Sequence, residues 1–159
     1  MYISYYSSPV GLLKISAAED HILSVQFCDN MEEPDHTHYL VQNCIEQLDA
    51  YFKGTLIAFN LPLKQTGTPF QQKVWAQLCS IPYGKTISYL SLSKALGDTK
   101  AIRAVGTANG RNQIAIIVPC HRVIGSNFKL VGYAGGLWRK KWLLEHEAKH
   151  FAGVQTLPF

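Results

Sequence analysis

Three β-rich stretches open the chain, residues 2–6, 12–17 and 22–27, divided by the turn residues Ser7-Ser8-Pro9, Gly11 and Glu19-Asp20. Short runs of β-branched and aromatic side chains between such turns read as an antiparallel meander. The period then changes. Leu40, Cys44, Leu48, Tyr51 and Phe52 recur at helical spacing over residues 39–52, with Gly54 as a stop, so an amphipathic helix should cover one face of the small sheet. Residues 60–67 read as a linker and divide the chain into an N-terminal module, 1–63, and a second region, 64–159.

Beyond the linker the pattern is helical. Thr68-Pro69-Phe70-Gln71 supplies a capping hydroxyl, a proline at the first helical position and a glutamine three residues after the cap. Phe70, Val74, Trp75 and Leu78 then form one apolar face, and Ile81-Pro82-Tyr83-Gly84 makes a turn. A second helix is expected from about Ser88, with Leu92, Ala95 and Leu96 inward and Gly97 closing it. After Asp98-Thr99 a third should span residues 100–109, with Ile102 and Val105 buried and Gly110 as its stop. Two short helices joined by a tight turn make a helix-turn-helix. The third is lined by Ala101, Ala104, Gly106, Thr107 and Ala108. So bare a surface suits tight helix packing or close approach to an external partner. Arg103 tips the reading toward the partner, since an arginine among alanines is a poor core residue.

Residues 114–118 form a β-branched run, read as a buried strand that stops at Pro119. Gly132, Gly135 and Gly136 mark a turn around Tyr133, and a last helix should run from Leu137 to about Glu147, with Leu137, Trp142 and Leu144 inward. The fold class is α+β.

Charge adds an asymmetry. The net charge is +4, and beyond residue 63 the only acids are Asp98, Glu145 and Glu147, while Lys14 and Lys53 alone oppose the many acids before it. The basic excess of the second region permits a polyanionic partner. No apolar run suggests a membrane span, and the N-terminus lacks a secretory layout, so a cytoplasmic protein is expected, nuclear in a eukaryote. Cys28, Cys44, Cys79 and Cys120 stand far apart without a C-x-x-C pair, the usage of a reducing compartment. No metal is expected: His36 and His38 sit in the acidic stretch MEEPDHTH, which reads as a solvated loop.

The most informative segment is Val118-Pro119-Cys120-His121-Arg122-Val123. A thiol beside an imidazole is a suitable nucleophile for carbon, its thiolate partly populated near neutral pH. By itself such a pair is often structural, because a buried free cysteine behaves as a small hydrophobe.

Its surroundings add to it. PFQQKVWAQLCSIPYGKTISY, AIRAVGTANGRN, IVPCHRVIG and GYAGGLWRKKWLLEHE follow one another from about Thr68 to Glu147. In order and spacing they strongly resemble the O6-alkylguanine-DNA alkyltransferase family, the methylated-DNA–protein-cysteine methyltransferases. The resemblance implies a small ribonuclease-H-like N-terminal domain, a three-stranded sheet with a helix, before a helical winged-helix-like domain with the helix-turn-helix. It implies a monomer without cofactor that binds the minor groove of duplex DNA carrying alkylated guanine. The alkyl group would pass from guanine O6, and from thymine O4, irreversibly to Cys120.

The resemblance also implies roles. His121 would deprotonate Cys120 through a water, and Glu147, in preference to Glu145, would orient that histidine. Asn112 would brace the active-site turn. Arg103 would replace the flipped guanine in the stack, and Tyr89 would crowd the rotating phosphate and help protonate the leaving base. Ala101, Ala104, Gly106 and Asn109 would meet the DNA. Tyr133, Val123, Ala134 and Pro119 would line the base pocket. Gln113 and Ala134 depart from common family residues, proline and serine, which bears on rate and on tolerance of bulky alkyl groups. Arg139-Lys140-Lys141 reads as a solvated helix face. The alternatives are a non-catalytic lesion-binding relative, which would lack the cysteine, a helix-turn-helix regulator, which would carry more base-reading side chains, and a cysteine hydrolase, which would turn over.

Overall fold

The computed structural model describes residues 1–151, which fall into two compact units. The first comprises Met1–Thr66 with Gln113–Ala115. Its strands β1 (Tyr2–Ser8), β2 (Gly11–Ala17) and β3 (Ile22–Cys28) pair antiparallel in sequence order. Alternation puts Leu13, Ile15 and Ala17 of β2 on one buried face. Helix α1 (Tyr39–Phe52) lies against all three strands through Leu40, Val41, Cys44, Leu48, Tyr51 and Phe52. Both sheet edges are engaged. Val25 N donates to Gln113 O and Ala115 N to Val25 O at β3, while His36 N donates to Ile3 O at β1. The loop expected to be merely solvated therefore has structural work: His36 Nδ1 accepts from Ile3 N, and His38 Nδ1 accepts from Leu40 N as the cap of α1. A capping acceptor satisfies an N–H that the helix leaves without a partner.

The second unit comprises Gly67–Asn112 and the chain from Ile116 onward. Its elements are α2 (Pro69–Leu78), β4 (Ile87–Ser88), α3 (Tyr89–Ala95), α4 (Ile102–Gly110), β5 (Val123–Ile124) and α5 (Leu137–His150). The capping box at Thr68 and Gln71 starts α2, and Trp75 Nε1 donates to Ala108 O, fixing α2 on α4. The two-residue strands β4 and β5 pair in parallel, an element too short to leave a periodic signal.

Four expected inward residues are exposed: Phe70, Ala95, Ile102 and Leu137. Phe70, Ile102 and Leu137 belong to the first turn of their helices, and Ala95 ends α3, so each projects beyond the contact its stripe makes. Val74, Trp75 and Leu78 of α2, Leu92 of α3 and Val105 of α4 are inward as expected, and Ser93, Ala108 and Asn109 join them. Trp142 is half-buried and stacks on His146. Ile114, Ile116, Ile117 and Val118 are buried as expected and Ala115 is half-buried, but the run is not a strand. Ile114 makes one isolated bridge to Val25, and Ile116 then takes a positive φ of 71°, which ends the extended run. The expected featureless tail lies outside the described residues beyond Phe151.

Candidate active site

A single turn of 3₁₀ helix, Cys120–Arg122, places three consecutive buried side chains in three directions. Asn112, just beyond α4, holds the first. Its Nδ2 donates to Val118 O at 2.9 Å and to Cys120 Sγ at 3.3 Å. Asn109 adds a bond to Cys120 O at 3.3 Å. The stripe of α4 explains this: Asn109 follows Val105 and Ala108 on the inner face, so it braces the cysteine turn rather than facing outward as expected.

His121 and Glu147 are fully buried and meet at 2.7 Å, Nε2 to Oε2. An ionised carboxylate only accepts, so the imidazole carries its proton on Nε2, and Nδ1 presents a lone pair. Nδ1 has no protein partner among the described residues. Glu147 is held from the other side by Arg122, whose Nε donates to Oε1 at 2.8 Å and Nη2 to Oε2 at 3.1 Å. The amide of Gly84 donates to Oε1 at 3.4 Å. Gly84 has φ +78°, and a Cβ there would come within 2.5 Å of Phe151, so this position requires glycine. Glu145, the neighbouring acid, pairs with Lys141 at the surface.

Burial and charge act together here. Burial pushes the Cys120 thiol up, opposed by Asn112 and by the charge of Lys140. Burial also draws His121 below its ordinary value, against the pull of Glu147. The contacts of His121 and Arg122 hold Glu147 well below the carboxylate range despite its burial. The resting pair is therefore a neutral thiol and a neutral imidazole, not the partly ionised thiol expected from the Cys-His sequence. Desolvation disfavours both charged forms until a proton moves between them.

Lys140 corrects another expectation. It is fully buried rather than solvated, and its Nζ donates to Val123 O at 2.6 Å, Val131 O at 2.9 Å and Gly132 O at 3.1 Å. Burial lowers it to about 8, with Cys120 acting in the opposite direction. The helical stripe Lys140, Leu143, Leu144 and Glu147 explains why it faces in while Arg139 and Lys141 do not. Tyr89 stands nearby: its hydroxyl donates to Val131 O at 3.3 Å, and the Lys140 ammonium is 5.8 Å from its ring centroid. A Cβ at Gly106 would meet the Tyr89 ring at 3.9 Å. Val123 and Pro119 are buried, Tyr133 is half-buried and Ala134 exposed. Arg103 and Ala104 are exposed on α4, and Ala101 is half-buried just before it.

Among the described residues no group of three or more His, Cys, Asp or Glu side chains could hold a metal ion, and no helix is long and apolar enough to cross a membrane. The sequence reading missed Arg122 and Lys140. The signal for Lys140 was its place in the α5 stripe; for Arg122 it was a cation inside an otherwise apolar motif.

Two family models match the chain. The ribonuclease-like domain of 6-O-methylguanine DNA methyltransferase covers residues 1–65, and the DNA-binding domain of the same family covers residues 69–149. The chain belongs to the 6-O-methylguanine DNA methyltransferase family. It is 48% identical to the methylated-DNA–protein-cysteine methyltransferase of Mycobacterium leprae, over 90% of this chain and 89% of that one. The corresponding protein of Mycolicibacterium paratuberculosis is 44% identical over 94% of each. In structure the chain resembles the Mycobacterium tuberculosis methyltransferase solved in complex with DNA, with a TM-score of 0.85 and 40% identity over 99% of this chain and 98% of that one. Cys120, His121, Arg122, Lys140 and Glu147 all lie within the matched DNA-binding domain of this methyltransferase family.

Proposed function

We propose that this protein repairs alkylated duplex DNA by moving a methyl or other alkyl group from guanine O6, or thymine O4, onto Cys120, once per molecule. The observation that carries the reading is the cysteine turn itself: an Asn-held thiol followed directly by a buried His–Glu couple whose free imidazole nitrogen can take a proton.

A base within the duplex hides its O6, and turning the nucleotide out costs roughly a few kcal/mol. Exposed Arg103 fills the gap, and the small side chains of Ala101, Ala104 and Gly106 let α4 approach the minor groove closely. Tyr89 crowds the phosphate that must rotate. Pro119, Val123, Tyr133 and Ala134 surround the extruded base. Binding is dominated by phosphate contacts, so it weakens steeply with salt.

In the pocket, His121 Nδ1 takes the Cys120 proton through a water, while Glu147 stabilises the resulting imidazolium. The sulfur attacks the alkyl carbon. An S–C bond forms as the C–O6 bond breaks, and the electron pair left on the base takes up a proton by way of Tyr89. The net proton is the one the thiol lost. No cofactor enters this balance, and no neighbouring group can cleave the thioether, so the protein acts once. It works as a monomer in a reducing compartment, the cytoplasm, where the thiol stays available.

A duplex carrying labelled O6-methylguanine tests this. Label should move to protein up to one equivalent and stop. Cys120→Ala should abolish transfer yet still bind the lesion, and Arg103→Ala should slow transfer. Binding without transfer, or repeated turnover, contradicts the reading.

A further inference from the structure

We propose that Arg122 is a positioning residue of this transfer: it clamps Glu147 and offsets its charge, so that His121 remains a neutral base. The inference rests on the alkyl-transfer reading and concerns how its base is kept ready.

The carboxylate of Glu147 offers about four acceptor positions. Arg122 takes one on each oxygen, and His121 Nε2 and the Gly84 amide take others. The remaining Arg122 terminus, Nη1, donates to Ile81 O at 2.7 Å. The guanidinium is thus anchored at both ends, and its planar fork sets the plane of the carboxylate. With that plane fixed, Oε2 points at Nε2 and the lone pair of His121 stays on Nδ1.

The second effect is electrostatic. A lone carboxylate beside a buried imidazole draws a proton onto it, and an imidazolium cannot accept the proton of Cys120. Arg122 is charged at every relevant pH, so Arg122 and Glu147 together present His121 with a nearly neutral pair. The charged and titratable groups facing this cluster include Cys120 from the same turn, Cys79 at the end of α2, Tyr83 from the turn after it, Lys140 on α5, and Tyr133. Arg122 makes direct bonds to both carboxylate oxygens of Glu147.

The test is single-turnover transfer from a duplex bearing O6-methylguanine, followed from pH 5.5 to 9 at saturating DNA and normalised to active protein. Arg122→Met should move the half-maximal pH of the acid limb upward by about one unit, the lower end of what a neighbouring charge does. Arg122→Lys keeps the charge and loses the fork, so it should lower the plateau while leaving the midpoint in place. A merely structural arginine would reduce the active fraction without moving any midpoint. Should Arg122→Met fail to fold, the paired replacement Arg122→Met with Glu147→Gln leaves no unpaired buried charge. Its midpoint should return close to that of the unaltered protein, above that of Glu147→Gln alone. An Arg122→Met midpoint that coincides with the unaltered protein, or a double variant identical to Glu147→Gln alone, overturns the proposal. If the unaltered protein transfers nothing to Cys120, the functional reading itself fails.

Discussion

The first unit buries apolar side chains and keeps its charged pairs at or near the surface; the second also buries a cluster of charged and titratable side chains. Among the described residues of the first unit, the buried polar side chains are Ser4 and Ser16, while Lys14–Glu33 and Asp49–Lys53 form ion pairs within reach of solvent. In the second, His121, Arg122 and Glu147 are buried and joined by direct bonds, and buried Lys140 donates to the backbone carbonyls of Val123, Val131 and Gly132. Ion pairs in water contribute little, whereas a buried charge left without its partner is expensive. The first unit can therefore be stabilised by packing alone. The second must keep a polar network intact to remain folded, and the chemistry uses that same network.

The largest expected effect comes from breaking the network on one side. Glu147→Ala strands Arg122 and should cost about 3–5 kcal/mol, measured by urea unfolding, and should also abolish the His121 contribution to transfer. In the first unit the comparable loss is a cavity. Leu48→Ala should cost about 2–5 kcal/mol yet leave the pH dependence of transfer by the folded protein unchanged. If Leu48→Ala moved that pH profile, the division of labour between the units would be wrong.

The contrast explains what could be read from the sequence. Where burial is apolar, periodicity reports it: α1 runs over Tyr39–Phe52, with Leu40, Cys44, Leu48, Tyr51 and Phe52 inward, as the spacing implies. Where burial is polar, the same rule misleads. Lys140 looked like part of a basic surface because charge was taken to mean solvent, and Asn109, expected at the DNA from the resemblance, is buried against the cysteine turn instead. Helix ends misled in the opposite direction, since Phe70, Ile102 and Leu137 carry the right side chains but lie in first turns. The Cys-His pair and Glu147 were legible through the resemblance. The electrical state of the thiol was not, because it depends on desolvation that only the packed turn reveals.

A smaller effect follows from pH. Burial lowers His121 in the folded protein from an ordinary 6.5, and the network lowers Glu147 from 4.5. On acidification the unfolded chain takes up these protons first. The stability they confer is full above about pH 6.5 and is lost as pH falls, His121 leading and Glu147 following. The urea midpoint should therefore decline between pH 7.5 and 5.5, and His121→Gln should flatten that part of the curve. The smallest effect belongs to the surface of the first unit: Lys14→Gln, which opens the pair with Glu33, should leave the midpoint unchanged within error.

The central claim concerns one sulfur atom, and peptide mapping reaches it directly. After reaction with a methylated duplex, mass spectrometry of the digested protein should find one methyl group per molecule, on the peptide containing Cys120. Methyl on the peptides of Cys28, Cys44 or Cys79, or repaired DNA beside unmodified protein, would contradict the account.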